Sequence, residues 1–348
     1  RFGYQETGMP VSGVMDQRSA ALADLLVGNQ EEVAVLVITM LGPSMEFTED
    51  IIIAVTGADL GAKLDKAELP RYQAVLVRAG QTVSFAGIRS GSRAYVAFAG
   101  GLKVPMVMGS RSTNLKSKIG GFEGRKIGAG DEIPFAAPKT FLLHMADRKL
   151  DAEDFSAREH TLRVVMGPQD DYFTEQGIET FLTGEYTISN EYDRMGCRMQ
   201  GPVIEHKNGG DIITDGISFG SVQVPSHGNP IVMMADHQTT GGYTKIASVI
   251  TADLPILAQS IPGHKIHFQK ISIEEAQELF CAWKQELKAL DQKWNTAPEP
   301  ASDVQAAALS AAVCEHKSGY AAKSTYRIVV NGEEFLVELE REEEPFRE

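Results

Sequence analysis

Short apolar runs, each ended by Gly, Pro or Asp, recur along the first 270 residues. Runs rich in β-branched residues or alternating in polarity are typical of β-strands. The pattern predicts strands at residues 33–40, 51–55, 74–77, 94–99, 162–166, 231–234 and 247–250. One amphipathic stretch predicts an early helix, which Asp16 caps and Gly28 ends. The fold is therefore predicted to be mainly β.

A short unit recurs three times, in which a glycine turn leads into residues that alternate in polarity. The turn glycines are Gly80, Gly130 and Gly263. A Gly-Pro dipeptide, at Gly42 and again at Gly167, stands ahead of the unit at similar spacing in each half. This repetition predicts two similar β domains, at residues 1–150 and 151–270.

The composition changes after residue 270. Ser272 and Glu275 form a capping-box pattern ahead of a helix with a continuous apolar face. A Pro/Ala linker at 296–302 and an alanine-rich helix at 304–313 follow. Two alternating segments, 325–330 and 333–340, flank Asn331-Gly332, which predicts a β-hairpin with a type I′ turn. Residues 271–348 are thus predicted to form helices, a linker and a terminal hairpin.

Charge and cysteine content exclude several classes of function. The 348 residues carry a formal net charge of −14 without a concentrated basic cluster, which argues against nucleic acid and anionic membrane as partners. The three cysteines are far apart and form neither a disulfide framework nor a zinc pattern. No 18-residue apolar run and no secretory signal occurs. We therefore expect a cytoplasmic protein.

Residues 236–247 hold an unusual density of chemically capable side chains. A carboxylate, a histidine, an amide, several hydroxyls, a glycine pair and a lysine follow the apolar run 231–235. Polar groups at the exit of a buried strand are typical of binding and catalytic sites. This segment is the first candidate for the functional site.

Several motifs occur in the order typical of one family. They lie at residues 1–5, 8–16, 99–101, 109–113, 194–196, 220–225, 229–247 and 253–263. Over residues 1–270 the chain resembles the C-type subunit of the bacterial ATP-dependent 5-oxoprolinase. The same family is known as biotin-dependent carboxyltransferases, kinase-inhibitor antagonists and the second subunit of allophanate hydrolase.

The resemblance implies two tandem cyclophilin-like β-barrels, the first expected to be incomplete because a family strand precedes Arg1. It implies partners: a smaller cyclophilin-fold subunit of type B and a lactam-utilisation subunit of type A. ATP is expected to bind together with a partner. The terminal hairpin is similar to the one that precedes biotin-carrier domains, but no Ala-Met-Lys-Met sequence follows. Carboxybiotin would therefore arrive on a separate carrier.

The predicted site residues come from the matching motifs. Asp236, His237 and Lys245 are the catalytic candidates. The substrate-binding candidates are Ser12, Asp16, Arg111, Ser112, Arg194, Gln223, Gln238, Thr239 and Thr240. The two arginines are expected to clamp anionic groups, because the guanidinium fork matches carboxylate and phosphate. Glutamine side chains and the lysine are expected to polarise an amide, and Asp236 to orient His237 or to act as a base.

Structural roles compete with these assignments. Asp16 is equally well explained as a helix N-cap. Arg111 and Lys245 fit solvated surface positions, and His237 fits a structural hydrogen bond. Arg194 can pair with Asp193 or Glu191 on the surface. Many relatives carry arginine or another residue where this chain has His237, which leaves the substrate open.

The sequence indicates no metal site, since the histidines are scattered, and it lacks both a dinucleotide fingerprint and a Gly-x4-Gly-Lys-Ser/Thr loop. Three functions remain. The first is a 5-oxoprolinase subunit that opens a lactam with ATP. The second is the carboxyltransferase component of a biotin-dependent carboxylase, acting on an amide or urea. The third is a regulatory protein that binds an inhibitor of a histidine kinase.

Overall fold

A computed structural model of the protein describes residues 1–29, 33–136, 145–295, 323–330 and 333–340. Its helices are α1 (Gln17–Leu26), α2 (Glu175–Thr183), α3 (Leu254–Gln259) and α4 (Ile273–Asn295). The strands of the first half are β1 (Leu36–Thr39), β2 (Met45–Glu46), β3 (Ile51–Asp59), β4 (Ala62–Leu64), β5 (Ala67–Glu68), β6 (Ala74–Val77), β7 (Thr82–Phe85) and β8 (Ser90–Phe98). Those of the second half are β9 (Glu159–Met166), β10 (Tyr186–Tyr192), β11 (Gly196–Gln200), β12 (Asp211–Gly216), β13 (Ser221–Val224), β14 (Ile231–Met233), β15 (Thr240–Val249) and β16 (Lys265–Lys270). The mainly β prediction is confirmed, and each of the seven predicted strands overlaps an observed one.

The first half contains two four-stranded sheets. One has the order β1-β8-β3-β6 and the other β2-β7-β4-β5. Ile53, Val83 and Tyr95, which come from both sheets, are fully buried in one hydrophobic core. Helix α1 packs on this core, and its start is fixed by Asp16, whose carboxylate accepts a hydrogen bond from the Ser19 backbone N–H at 2.9 Å.

The second half closes into a barrel. Seven strands follow one another in the order β15-β13-β14-β11-β10-β16-β9, and β9 pairs back onto β15. Strand β12 is attached outside the ring, to β15. Leu162, Val222 and Ile266 are among the fully buried side chains of its core. The neighbouring strands β13 and β15 carry several of the predicted site residues.

The repeated glycine units have unequal outcomes. Gly80, Gly130 and Gly263 all adopt the left-handed backbone, with φ of 84°, 86° and 90°, so the predicted turn is confirmed three times. Strands β7 and β16 follow the first and third turns. No strand follows the second, where Phe135 makes an isolated bridge to Leu102. Strand formation after residue 130 was predicted wrongly, because a local turn does not supply a neighbouring strand to pair with.

Gln259, at the end of α3, joins the two halves. Its side-chain oxygen accepts the backbone N–H groups of Ser92 and Arg93 at 3.1 and 3.0 Å, and its Nε2 donates to Asp16 at 2.7 Å. All four residues are buried. Residues 1–295 consequently form one compact unit, and the domain boundaries at 150 and 270 stay a prediction.

Helix α4 begins with the predicted capping box. The Ser272 backbone N–H donates to the Glu275 carboxylate at 2.8 Å, and the Glu275 N–H donates to Ser272 Oγ at 3.1 Å. Trp283 and Leu287 bury the apolar face of the helix in a small cluster with Leu22 of α1. The helix therefore packs against the first half of the chain.

The terminal segment contains β17 (Lys323–Val330) and β18 (Glu333–Glu340), which pair antiparallel along their full length. The hairpin prediction is confirmed. The predicted linker at 296–302, the helix at 304–313 and the turn at 331–332 lie outside the described residues.

Candidate functional site

Asp236 and Arg194 form a two-pronged ion pair. The carboxylate accepts hydrogen bonds from Arg194 Nε at 2.8 Å and Nη2 at 3.0 Å, and the Asp236 backbone N–H donates to the Arg194 carbonyl at 2.7 Å. The same Nη2 also donates to the carbonyl of Gly13 at 2.6 Å. Asp236 lies in the turn between β14 and β15, so this pair ties that turn to the first half of the chain.

This geometry corrects two expectations about roles. Arg194 was predicted to clamp a ligand or to pair with Asp193 or Glu191, but its guanidinium is occupied by Asp236 and Gly13. Asp236 was expected to orient His237 or act as a base, but both its oxygens accept from Arg194. A carboxylate held by a bidentate arginine is a structural anchor.

His237 is buried and follows the anchor directly. Its Nδ1 lies 2.7 Å from the carbonyl oxygen of Gln238. Because a carbonyl only accepts, Nδ1 carries the proton and Nε2 keeps its lone pair. Burial lowers the pKa of His237, which the Gln238 carbonyl and the Asp236 charge oppose. The imidazole is thus prepared to accept a proton at Nε2.

Lys245 lies within β15 and is almost fully buried. Its Nζ donates to Asp215 on the neighbouring strand β12 at 2.8 Å, and Gln169 Nε2 donates to the same carboxylate oxygen at 3.1 Å. The Lys245 ammonium, helped by the Gly216 N–H, lowers the pKa of Asp215 to about 2. The solvated position that the sequence allowed for Lys245 is therefore wrong.

Gln223 stands beside Lys245 on β13, in register with it. The side chain is 1% exposed, and its Nε2 has no hydrogen-bond partner among the described residues. Gly241 lies close to this amide, since a Cβ at position 241 would come within 2.8 Å of Gln223 Nε2 and 3.5 Å of Gln238 Nε2. A buried amide donor without an acceptor is rare and costs about 1–3 kcal/mol. The Gln223 donor is therefore available to an acceptor that the described part of the chain does not supply.

The polar segment is arranged differently from the prediction. It was expected to lie beyond a strand, but β15 begins at Thr240 and includes Lys245. The Thr239 carbonyl accepts the Ile217 backbone N–H at 2.9 Å. Thr240 pairs with Gly216 and is exposed. Neither threonine hydroxyl is directed by a hydrogen bond within the residues that the structure describes.

A loop of the first half contributes a second group of side chains. Ser12, whose φ of 62° is left-handed, accepts a hydrogen bond from Asn114 Nδ2 at 2.9 Å. Ser112 Oγ accepts from Arg1 Nη1 at 2.9 Å. Arg1 is buried, which lowers its pKa, and the charge of Asp236 opposes that shift. The loop thus lies near the anchor of the second half.

Arg111 belongs to this loop and is half-buried. Within the described part of the chain its guanidinium has no hydrogen bond and no ion pair. Of the two arginines predicted to bind anions, Arg111 is therefore the one that is free to do so.

Asp16 lies apart from these groups in its chemistry. Its carboxylate accepts from the Ser19 N–H, from Ser19 Oγ at 2.6 Å and from Gln259. Burial raises the pKa of Asp16, which these hydrogen bonds oppose. The N-cap interpretation is confirmed, and the side chain also connects the halves of the chain.

Sequence reasoning missed Asp215, Gln169, Asn114 and Arg1. Asp215 and Gln169 stand in separate segments whose register against β15 decides their role, and no local pattern marks them. Only Arg1 and Asn114 stood in or beside a recognised motif. Together the structure brings Lys245, Gln223 and Gln238 to one face of β13 and β15.

Possible metal ligands come together once among the described residues. Ligand atoms of Glu159, Glu185 and His267 lie within 4.8 Å of one another on the outside of the barrel. Lys265 Nζ donates to Glu185 at 2.9 Å, so the cluster already contains its own cation. The expectation of no metal stays a prediction. None of the described helices is long and apolar enough to cross a membrane.

Comparison with known proteins gives a consistent picture. Residues 7–270 match the family described as carboxyltransferase domain, subdomain A and B. The chain is 36% identical to the C subunit of 5-oxoprolinase from Haemophilus influenzae over 279 residues, which are 80% of this chain and 88% of that protein. The Escherichia coli protein of the same name is 37% identical over 276 residues, or 79% and 87% of the two chains.

A second group of relatives is much longer. The urea amidolyase of Saccharomyces cerevisiae is 30% identical over 316 residues, which cover 84% of this chain and 17% of that protein. The crystal structure of Kluyveromyces lactis urea amidolyase superposes with a TM-score of 0.75 at 27% identity, over 87% of this chain and 19% of the other. The chain thus spans less than a fifth of the urea amidolyases.

Proposed function

The chain belongs to the carboxyltransferase domain A and B family, and on that premise we propose that it is a subunit of an ATP-dependent 5-oxoprolinase. The substrate of this proposal is a small lactam or amide, with 5-oxoproline as the first candidate. The carrying observation is the similarity to two 5-oxoprolinase C subunits over 87–88% of their length. Their partner subunits have no counterpart in this chain, so activity is assigned to a complex with subunits of types A and B.

The polar face of β13 and β15 supports amide chemistry. Opening a lactam develops negative charge on its carbonyl oxygen, and fixed donors stabilise that charge. Lys245, held by Asp215, supplies a positive charge, and Gln223 supplies an amide donor with no partner among the described residues. His237 Nε2 is the base in this scheme, since its lone pair is free to take a proton from the attacking water.

The residues fit a lactam better than a complete nucleotide. The chain has no phosphate-loop sequence, and its buried lysine is already paired with Asp215. ATP would supply the driving force for lactam opening when bound, and the proposal assigns most of its contacts to a partner subunit. We assign the proposed complex to the cytoplasm, because ATP is available there and the scattered cysteines suit a reducing compartment.

The test uses the chain purified with the partners that accompany it. ATP hydrolysis is measured with and without 5-oxoproline, with and without avidin, and with Lys245→Ala. The matched control is Lys265→Ala, which removes a lysine paired with Glu185 on the outside of the same barrel. Stimulation by the lactam that avidin leaves intact and Lys245→Ala abolishes is the expected result. Absence of any lactam-dependent turnover in the intact complex would sink the proposal.

A carboxyltransferase component is the second candidate, favoured by the similarity to urea amidolyase over 84% of this chain. In that case carboxybiotin on a separate carrier delivers the carboxyl group, and an amide or urea receives it. Activity that disappears on addition of avidin distinguishes this function from the first. Tight binding of a partner with no turnover on any amide would favour the regulatory role.

A further inference from the structure

Arg111 stands out among the arginines of the described residues. The other arginines that are at least half-buried use their guanidinium groups within the chain: Arg1, Arg18, Arg71, Arg93, Arg148, Arg163 and Arg194 all have protein partners. Arg111 is half-buried and has none in the described part of the chain. A partly desolvated cation without a counter-charge is unfavourable, and an anionic ligand would relieve that cost.

The loop around Arg111 differs in charge from the rest of the molecule. Between residues 103 and 126 six lysines and arginines stand against a single carboxylate, in a chain whose net charge is −14. Arg125 is neutralised by Asp131 and Glu123. Lys116 and Lys118 are exposed at the turn between Asn114 and Ile119, which are bridged. The remaining positive charge therefore collects near the turn that follows Arg111.

Contacts place this turn at the candidate site. Asn114 donates to Ser12, and Lys116 Nζ lies 3.5 Å from the sulfur of Met195, the residue next to Arg194. A thioether is a weak acceptor, so it leaves the ammonium available. Ser110 and Ser112 share a hydrogen bond between their hydroxyls at 2.8 Å, directly on either side of Arg111. A guanidinium, two ammonium groups and hydroxyls form a donor set suited to phosphate oxygens.

We infer that Arg111, with Lys116 and Lys118, binds the phosphate chain of a nucleotide or another polyphosphate beside the lactam site. The inference deepens the proposed function and rests on it, because it gives this chain a share of the nucleotide contacts. A multiply charged ligand fits better than a single carboxylate. Three cations collect here, whereas one guanidinium fork already matches a carboxylate.

Binding of inorganic triphosphate and of ATP to the full chain is measured by calorimetry at low and at physiological salt. Arg111→Gln is expected to weaken triphosphate binding by about tenfold or more, the loss typical of a charge-assisted contact. The pair Lys116→Gln with Lys118→Gln should weaken it further and reduce its salt dependence. Arg125→Gln is the matched control, because it removes an arginine of the same loop that is already neutralised, and it should leave binding unchanged.

Each outcome decides the matter. Equal triphosphate binding by the wild-type chain and Arg111→Gln overturns the inference, as does the absence of triphosphate and ATP binding in the wild type. Loss of 5-oxoproline binding alone in Arg111→Gln would make the arginine a carboxylate clamp and also overturn it. ATP binding tighter than triphosphate binding identifies a nucleotide, and equal binding identifies phosphate alone. None of these titrations needs lactam turnover, so failure of the proposed function is recognised separately.

Discussion

Lys245 reaches from β15 to the carboxylate of Asp215 on β12, at 2.8 Å, with the lysine buried and the aspartate exposed. The two residues are 30 positions apart and meet because β12 is attached to the outside of the barrel at β15. Gln169 fixes the same carboxylate from the loop after β9. A buried ammonium is thereby held in one position with its charge retained.

Replacing Lys245 should remove activity without unfolding the chain. Lys245→Met keeps the length of the side chain but deletes the charge that stabilises the developing oxyanion, so lactam-dependent ATP hydrolysis by the complex should fall about 10²-fold or more. The free energy of unfolding should change by no more than about 1 kcal/mol, because an apolar isostere replaces one half of a partly exposed pair. Turnover and urea denaturation of the same preparation check both statements.

Lys265→Met serves as control for that prediction. Its ammonium pairs with Glu185 at 2.9 Å on the barrel surface, with both side chains about half exposed. We expect wild-type activity and wild-type stability. Equal activity loss in the two variants would show that Lys245 acts through the general charge of the barrel and not through its position.

Breaking the pair between Arg194 and Asp236 should cost stability. Arg194→Ala leaves a nearly buried carboxylate without its two donors and deletes the contact to Gly13. Removal of one partner from a buried pair costs about 3–5 kcal/mol, and the partial exposure of Arg194 reduces the expected loss to about 2 kcal/mol. Urea denaturation should show a lower midpoint for Arg194→Ala and an intermediate one for Arg194→Lys.

Arg198→Ala is the matched comparison, because that arginine lies on β11 and pairs with Glu191 at 3.1 Å where both are exposed. Its effect should stay within about 0.5 kcal/mol. If Arg194→Ala is equally mild, the ion pair has no anchoring role.

Local features of the fold could be predicted from the sequence. Asp16 and the pair Ser272 and Glu275 are caps whose donors lie within three residues, so the pattern contains the whole interaction. The left-handed glycines at 80, 130 and 263 follow from the same local reasoning. Alternation of apolar residues located the strands, because burial of one face depends on period and not on the identity of the neighbouring strand.

Partners across the fold could not be predicted. Arg194 was expected to find its nearest carboxylates in sequence, yet it pairs with Asp236, 42 positions away. Asp215 was missed because its role depends on the register of β12 against β15. The segment after Gly130 lacks a strand since a turn alone does not provide an edge to pair with. Family motifs identified Lys245 and Gln223 as candidates, but only tertiary contacts show one paired and the other without a partner among the described residues.

Gln223 should separate activity from stability. Gln223→Met has nearly the same volume and removes a buried amide donor that no described group of the chain satisfies. Such a replacement is neutral or stabilising, by up to about 1 kcal/mol, because it removes a desolvated donor without breaking a hydrogen bond. Lactam turnover should nevertheless fall by about tenfold or more, since the donor is proposed to stabilise the substrate oxyanion.

Gln259→Met provides the contrast for Gln223. Its amide is equally buried but bonds to Asp16 and to the backbone of Ser92 and Arg93. Its loss should destabilise the chain by about 2–3 kcal/mol. Thermal unfolding of the two variants side by side measures the difference, and a destabilised Gln223→Met would mean that the amide has a structural partner.

Asp24 should make stability depend on pH in the neutral range. It is buried on α1 and accepts a hydrogen bond from Asn29 Nδ2 at 2.8 Å. Burial raises its pKa to about 7, which the Asn29 hydrogen bond opposes. In the unfolded chain an aspartate has a pKa of about 3.9. Between these values the folded state retains a proton that the unfolded state has lost, so stability falls as pH rises from about 4 to about 7 and then levels off.

Asp24→Asn cannot ionise and should escape this loss. Relative to the wild type, its free energy of unfolding should therefore rise with pH, from little difference near a pH of about 4.5 to a gain of a few kcal/mol at a pH of about 8. Urea denaturation at several pH values across that range measures the difference. Asp50→Asn is the control, because that exposed carboxylate has a lowered pKa, through the Ala79 N–H and Arg78, and it titrates below this range in both states. A difference between Asp24→Asn and wild type that stays constant with pH would show that Asp24 is ionised throughout.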